Sequence, residues 1–447
     1  MSFPEYRGYS ACEIPGVAKL PKQWKALKLK HLASIKFSNV DKNKEEGEQP
    51  VSLCNYVDVY HNEWITPELD FMEATASQRE IDKFSLKVGD VLVTKDSESW
   101  DDIAVPAYVA SETESTLCGY HLAQIRPKPE AIDGRYLFRA FDAQAINDQF
   151  KVAANGITRF GLGKYWLDNA LFPVPPLQDQ RAIADFLDRE TARIDELIAK
   201  KQRQIELLQE KRAAVISHAV TKGLNPDAKM KDSGIEWLGE IPEHWSIGAI
   251  AWIGRVMNGS TPSNSKPDYW EDGSVPWVSS AEVNQGLIVN PTAYITEQAL
   301  RECCIRLIPR GSVLIGMVGQ GRTRGMCAIL GIEACINQNV AAIIPGPKAE
   351  SSFLQHALTH LYEPIRQYGR GGQQDALNCE LVGNIRVPIP PIEEQKAIAD
   401  FLNREHERIK ALSAMITNSM RALAEYRSAL ISAAVTGKID VRGKEAA

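Results

Sequence analysis

Two long stretches of the chain carry apolar residues at steps of three and four, or of seven and eight where one turn is skipped, with no proline or glycine inside either. In the first they fall at Ile183, Leu187, Ile194, Leu197, Ile205, Leu208, Val215 and Ala219. In the second they fall at Ile398, Leu402, Ile409, Leu412, Ile416, Met420, Leu423, Leu430 and Ala434. That spacing draws one narrow apolar stripe along a helix, the seam of a coiled coil. A helix of about 40 residues would run roughly 60 Å at 1.5 Å per residue. A stripe so long needs a partner, and each stretch is the obvious partner for the other. The expected packing residues are Ile183, Leu187, Ile194, Leu197, Leu208 and Val215 against Ile398, Leu402, Ile409, Leu412, Leu423 and Leu430. Prolines 173, 175 and 176 precede the first helix and prolines 388, 390 and 391 the second, while Gly223 and Pro226 follow the first, so starts and stops are marked.

The two stretches are copies of one another. The run QRAIADFL from Gln180 returns as QKAIADFL from Gln395, and at that fixed offset residues 172–222 align without a gap on 387–437, with about half the positions identical. Upstream, Leu20-Pro21-Lys22-Gln23-Trp24 is echoed by Ile241-Pro242-Glu243-His244-Trp245, and Gly89-Asp90-Val91-Leu92-Val93 by Gly311-Ser312-Val313-Leu314-Ile315. Between these landmarks the halves diverge into short runs rich in Val and Ile. Asp90–Thr94, Val275–Ser279, Val313–Val318 and Val340–Ile344 read as strands; Asp133–Asp148 and Ser351–Tyr362 read as helices. The expected class is α+β: two α/β domains separated by two long helices that form an antiparallel coiled coil, with a pseudo-two-fold internal repeat. The expected division is a first domain at 1–177, a spacer helix at 178–222, a second domain at 223–392, a second spacer helix at 393–437 and a tail at 438–447.

Composition narrows the class. The 447 residues are 44% hydrophobic and 24% charged, an ordinary globular balance. No apolar run approaches the roughly 20 residues that cross a bilayer, and the first residues do not resemble a signal peptide, so a cytoplasmic protein is expected. None of the eight cysteines forms a Cys-x-x-Cys pair, which favours reduced thiols over a zinc site or disulfides. The net charge of −6 runs against the basic balance usual in nucleic-acid binders. Phosphate contact depends on local charge, however, and a partner could supply part of it.

Catalytic patterns are missing. Gly319-Gln320-Gly321 and Gly161-Leu162-Gly163-Lys164 lack the spacing of a phosphate loop or dinucleotide fingerprint. Asn225-Pro226-Asp227-Ala228 is not the Asn/Asp-Pro-Pro-aromatic motif of an adenine methyltransferase. His356 and His360 lack the glutamate of a zincin, so a packed pair is the simpler reading. No catalytic residue, metal or cofactor is expected in this chain. Polar and basic loops beside glycines and aromatics are the candidates for DNA contact, because Arg, Gln and Asn read base edges and Arg and Lys hold phosphates. They are Lys151, Asn155, Thr158, Arg159, Lys164 and Tyr165 in the first half. In the second half they are Gln320, Arg322, Thr323 and Arg324, then Arg366, Tyr368, Arg370, Gln373 and Gln374.

With these features together, the chain resembles the DNA-specificity subunits of type I restriction-modification systems. The resemblance spans nearly the whole chain. It is carried by the Pro-rich stretches running into Gln-x-Ala-Ile-Ala-Asp-Phe-Leu at 173–187 and 388–402, by Asp232 to Pro242, and by Asn258-Gly259-Ser260-Thr261-Pro262-Ser263 with Tyr269-Trp270 and Pro276-Trp277. The resemblance implies that the two domains are target recognition domains, each reading half of a split asymmetric site on double-stranded DNA. It implies that the helices fix the gap and dock two methyltransferase subunits, which bind S-adenosylmethionine and methylate adenine N6. A motor-nuclease restriction subunit using ATP and Mg would complete the complex. A reader serving a fused methyltransferase-nuclease partner, a coiled-coil scaffold without DNA specificity, and an enzyme with an unrecognised site are the alternatives.

Overall fold

The computed structural model describes residues 3–319, 322–367 and 376–442. They form two compact units, one of residues 1–201 with 417–447, the other of residues 202–416. In the first, a five-stranded sheet runs in the order Ala33–Phe37, Leu122–Pro127, Val91–Thr94, Pro106–Val109, Trp64–Ile65. In the second, the order is Gly254–Asn258, Val340–Pro345, Val313–Gly316, Cys327–Leu330, Leu287–Ile288. Each sheet is antiparallel except for its last pair, which is parallel. Each unit adds a three-stranded sheet with one parallel and one antiparallel pairing. The sheet framework is therefore duplicated even where the sequence is not.

The repeated Gly-x-Val-Leu-Val/Ile run is the central strand of each five-stranded sheet. Its side chains alternate across the pleat: Val91 and Val93 enter one core cluster and Leu92 another, just as Val313 and Ile315 separate from Leu314. Both faces are covered, so the strand reads as a continuous apolar run.

The long helices are Leu177–Lys222, of 46 residues, and Ile392–Val435, of 44 residues. Within the first unit the start of one lies against the end of the other: Ile183, Leu187 and Ile194 share a core with Leu430, Ile431, Ala434 and Val435. Within the second unit the same arrangement recurs with the helices exchanged, Ile216, Ala219 and Val220 packing with Ile398, Ala399 and Leu402. The pairing is antiparallel. Ile409 is also buried; Leu208, Val215 and Leu423 are half-buried. Leu197 and Leu412 depart from the expected seam, at 36% and 39% exposed. The buried strip steps through Ile183, Leu187, Thr191, Ile194 and the half-buried Ile198, and a straight helix drifts off a strict seven-residue repeat. Ile198 and Ser413, at matching places in the two copies, take the half-buried positions.

The glutamine shared by both copies of the repeat has a structural reason. Gln180 Oε1 accepts from the Asp133 backbone N–H at 2.7 Å, and its Nε2 donates to the Pro175 carbonyl at 2.8 Å. Gln395 does the same with Glu350 N–H and the Pro390 carbonyl, both at 2.9 Å. Each buried amide thus ties the first turn of a long helix to the N-terminus of a domain helix, satisfying groups that burial would otherwise leave unpaired.

Six residues beyond each tied position the two units differ. In the first, Arg139 is 1% exposed and donates to Asp188 at 3.0 Å, Glu63 at 2.8 Å and Thr191 at 3.0 Å. Arg427 also reaches Glu63, and it holds Asp195 at 3.0 Å. In the second, His356 and Asn403 stand in place of Arg139 and Asp188, and His356 Nε2 lies 3.0 Å from Asn403 Oδ1. Burial lowers the His356 pKa; the Asn403 bond opposes this, while His406 and Arg212 add to it. The folded unit therefore favours the neutral ring, whereas the unfolded chain takes up a proton near pH 6.5. Stability from this group is full at higher pH and lost as pH falls below about 6.5. The urea midpoint of the second unit should drop between pH 7.5 and 5.5, and His356→Gln should reduce that drop; an identical drop in the variant would assign it elsewhere.

Two predicted helices are interrupted. The stretch from Asp133 forms Gly134–Asp142 and Gln144–Ala153, broken at Ala143, which is extended at φ −69 and ψ 124. The break brings Phe141 and Phe150 into a stack 5.4 Å apart, with Phe172 edge-on to Phe141 at 4.9 Å. The stretch from Ser351 forms Ser351–His360 and Tyr362–Gln367.

Candidate nucleic-acid interface

The structure separates the first set of candidate residues. Arg159 and Thr158 are exposed, and the Arg159 guanidinium lies 3.3 Å from the His121 ring. His121 Nδ1 is 3.3 Å from Asp96, which also accepts from Lys95 Nζ at 2.7 Å. That ammonium lies 4.6 Å from the Tyr120 ring centroid, and Tyr120 is 49% exposed. Arg159, His121, Asp96, Lys95 and Tyr120 thus form one polar, aromatic cluster. Tyr120 and His121 also line a cavity of about 610 Å³ with Val40, Lys42, Asn55 and Tyr56.

The other candidates of this unit lie on separate supports. Asn155 pairs its backbone with Gly161 and donates its side-chain amide to the Ala153 carbonyl, which shapes the loop. Lys164 is held by Asp168 at 2.6 Å on its own helix. Tyr165, 69% exposed, lines a second cavity with Pro15, Ala145 and Val152. Lys151 lies on the preceding helix, 5.9 Å from the Trp100 ring.

In the second unit, Arg324 does not fit the role expected of it. It is 6% exposed and donates to the Arg366 carbonyl at 2.7 Å, while Arg366 returns a bond to the Arg324 carbonyl at 3.2 Å. Arg366 also covers the Tyr362 ring, 5.3 Å away, and Tyr362 donates to the Arg322 carbonyl at 2.7 Å. These arginines brace one loop against another, so Arg324 is committed to the fold and not to base edges. Arg322 is exposed and Thr323 half-buried. Gln320, Tyr368, Arg370, Gln373 and Gln374 lie outside the described residues.

Sequence reasoning missed Lys95, Asp96, Tyr120 and His121. The only signal was a polar pair, Tyr120-His121, just ahead of the buried run Leu122-Ala123. Among the described residues no group of three or more His, Cys, Asp or Glu is placed to hold a metal ion. No helix there is long and apolar enough to cross a membrane.

The duplicated frame has a counterpart among known families. The model of the type I restriction modification DNA specificity domain matches residues 21–207 and again 242–418. The chain belongs to that family. This specificity subunit is 24% identical over 433 residues to a Methanocaldococcus jannaschii protein assigned as the MjaX specificity subunit of a type I restriction enzyme, covering 95% of this chain and 96% of the other. It is 22% identical over 344 residues to the EcoBI specificity subunit of Escherichia coli, covering 73% of this chain and 70% of the other. Among solved structures it is similar to the HsdS subunit from Thermoanaerobacter tengcongensis, with a TM-score of 0.57 at 18% identity over 95% of this chain and 99% of that one. A chain from a structural study of complex assembly and conformational transition of the type I R-M system gives a TM-score of 0.72 at 17% identity, covering 94% of this chain and 100% of that one. The specificity subunit therefore shares their fold, and its family is one of DNA recognition and not of catalysis.

Proposed function

We propose that this specificity subunit reads a bipartite, asymmetric sequence on double-stranded DNA, one half through each target recognition domain. The observation that carries the reading is the duplicated sheet frame, which presents different side chains from the same topological position in the two units. The domains are assigned to residues 1–177 and 223–392, and the paired helices act as the spacer between them. Readers placed on one side of a duplex must be about 34 Å apart per helical turn, and coupling two modest readers raises affinity through effective concentration. The helices also dock two adenine-N6 methyltransferase subunits, and through them the motor-nuclease subunit, in the cytoplasm. S-adenosylmethionine, ATP and Mg belong to those partners.

Mapping methylated adenines in host DNA after expression of this chain with its methyltransferase tests the reading. The expected result is two unlike short motifs at a constant gap. One uninterrupted motif, or modification sharing no motif, would contradict it.

A further inference from the structure

Resting on that reading, we propose that base choice in the two half-sites is set by one turn in each unit: Tyr120-His121, assisted by Arg159, in the first and Gln338-Asn339 in the second. Backbone hydrogen bonds establish that these turns are equivalent. Where the central strand of the first unit ends, Lys95 N–H donates to the His121 carbonyl at 3.0 Å, and the Lys95 carbonyl accepts from Leu162 N–H at 2.8 Å. In the second unit Met317 N–H donates to the Asn339 carbonyl at 2.8 Å, and the Met317 carbonyl accepts from Leu377 N–H at 2.9 Å. Each turn leads directly into a fully buried strand residue, Leu122 or Val340.

The frame beneath each turn is fixed. A Cβ on Gly119 would come within 2.7 Å of the Cys54 carbonyl oxygen, so the chain ahead of Tyr120 passes too close for a side chain. In the second unit a Cβ on Gly259 would lie 1.7 Å from the Ile336 carbonyl oxygen, so the segment carrying Thr261 packs on the Ile336–Asn339 turn only because residue 259 is glycine. Asn337, 7% exposed, donates its N–H to the Val278 carbonyl at 3.0 Å and accepts from Asn339 N–H at 3.1 Å. On this rigid support the next two side chains are exposed or half-buried in both units. Their chemistry differs completely between units, while the backbone bonds that hold them do not. That is the arrangement a specificity element requires: fixed geometry with changeable donors and acceptors.

The side chains indicate the bases. Glutamine and asparagine pair with adenine through N6 and N7, whereas arginine addresses guanine O6 and N7. Thr261 hydroxyl donates to one lone pair of Gln338 Oε1, which orients the amide and leaves its second lone pair to accept from adenine N6 and its N–H to donate to N7. The second unit is thus assigned an adenine. In the first unit Arg159 and His121 converge, Asp96 braces His121, and the exposed Tyr120 ring offers an apolar face; a guanine is assigned there.

The test measures binding and methylation by the assembled complex on its mapped site and on duplexes with single base changes. The Gln338→Ala/Asn339→Ala pair should lower discrimination at one adenine of one half-site by about tenfold or more and leave the other half-site unchanged. Asn339→Asp should move the preference at that position towards cytosine, whose N4 donates to a carboxylate. Tyr120→Ala/His121→Ala should relax only the opposite half-site. Thermal melting checks that the variants fold, and salt-dependent binding to non-specific DNA should persist. Unchanged discrimination in all variants, or relaxation of both half-sites by one of them, overturns the assignment while leaving the bipartite reading intact. Absence of a split motif for the unaltered complex would instead overturn that reading.

Discussion

Replacing residues 1–165 with the corresponding residues of another specificity subunit should change one half of the methylated sequence entirely and leave the other half intact. The physical basis is the separation of the cores. Among the described residues each buried cluster is drawn from one unit: two from residues 1–201 and 417–447, and four from residues 202–416. The graft must preserve the contacts that cross its boundary, among them Asp133 with Gln180, Arg139 with Asp188, Glu63 with Arg427, and the Tyr136 hydroxyl with the Pro173 carbonyl at 2.9 Å. With those retained, mapping of methylated adenines should return a hybrid site. Retention of both original halves, or loss of both, would show that the readers are not separable.

Arg139→Ala should destabilise the first unit by about 3 kcal/mol, the low end of the range for breaking a buried ion pair from one side. The guanidinium is almost fully enclosed between Glu63, Asp188 and Thr191, with the Phe138 ring 4.6 Å away. Its removal leaves two partly buried carboxylates with fewer partners in a place that water reaches poorly. Asp142 lies close by, and burial and the neighbouring Glu63 already push its pKa up to about 6. Some relief comes from Arg135 on Asp188 and Arg427 on Glu63, which is why the low end is expected. His356→Ala at the matching place should cost about 1 kcal/mol, since a single hydrogen bond to Asn403 is lost. Urea unfolding of both variants measures the difference; equal losses would mean that the two joints are energetically alike.

Much of the architecture was legible because its signals are local and repeated. The helices announce themselves through apolar steps, the absence of Pro and Gly, and a second copy in the same frame. The central strands are visible as Val91-Leu92-Val93 and Val313-Leu314-Ile315, buried on both faces. The limits of the helical seam were harder to read. Leu197 and Leu412 satisfy a three-four alternation, yet the helices present a different strip, and nothing in the spacing separates Leu197 from Ile198. The break at Ala143 escaped notice because alanine favours helix; it is the stacking of Phe141 on Phe150 that accompanies the bend.

The recognition surface was the least legible part. Arginines near glycines suggested DNA contact, but Arg324 and Arg366 turn out to cap each other's carbonyls. Charge and loop position do not distinguish an arginine that braces from one that reads. His121 and Asn339 were not seen as counterparts because they stand at different distances from their Gly-x-Val-Leu landmarks, 32 and 28 residues on (121 minus 89, 339 minus 311). Only the backbone bonds at Lys95 and Met317 bring them into register.

The most direct test of the spacer is to insert four residues after Gln204 in the first long helix and map methylated adenines for the altered and unaltered subunits side by side. Four residues add roughly 6 Å of helix, and both half-site sequences should persist while the number of bases between them changes. An unchanged gap, or an altered base in either half-site, would contradict a helix pair that sets distance and heads that read sequence.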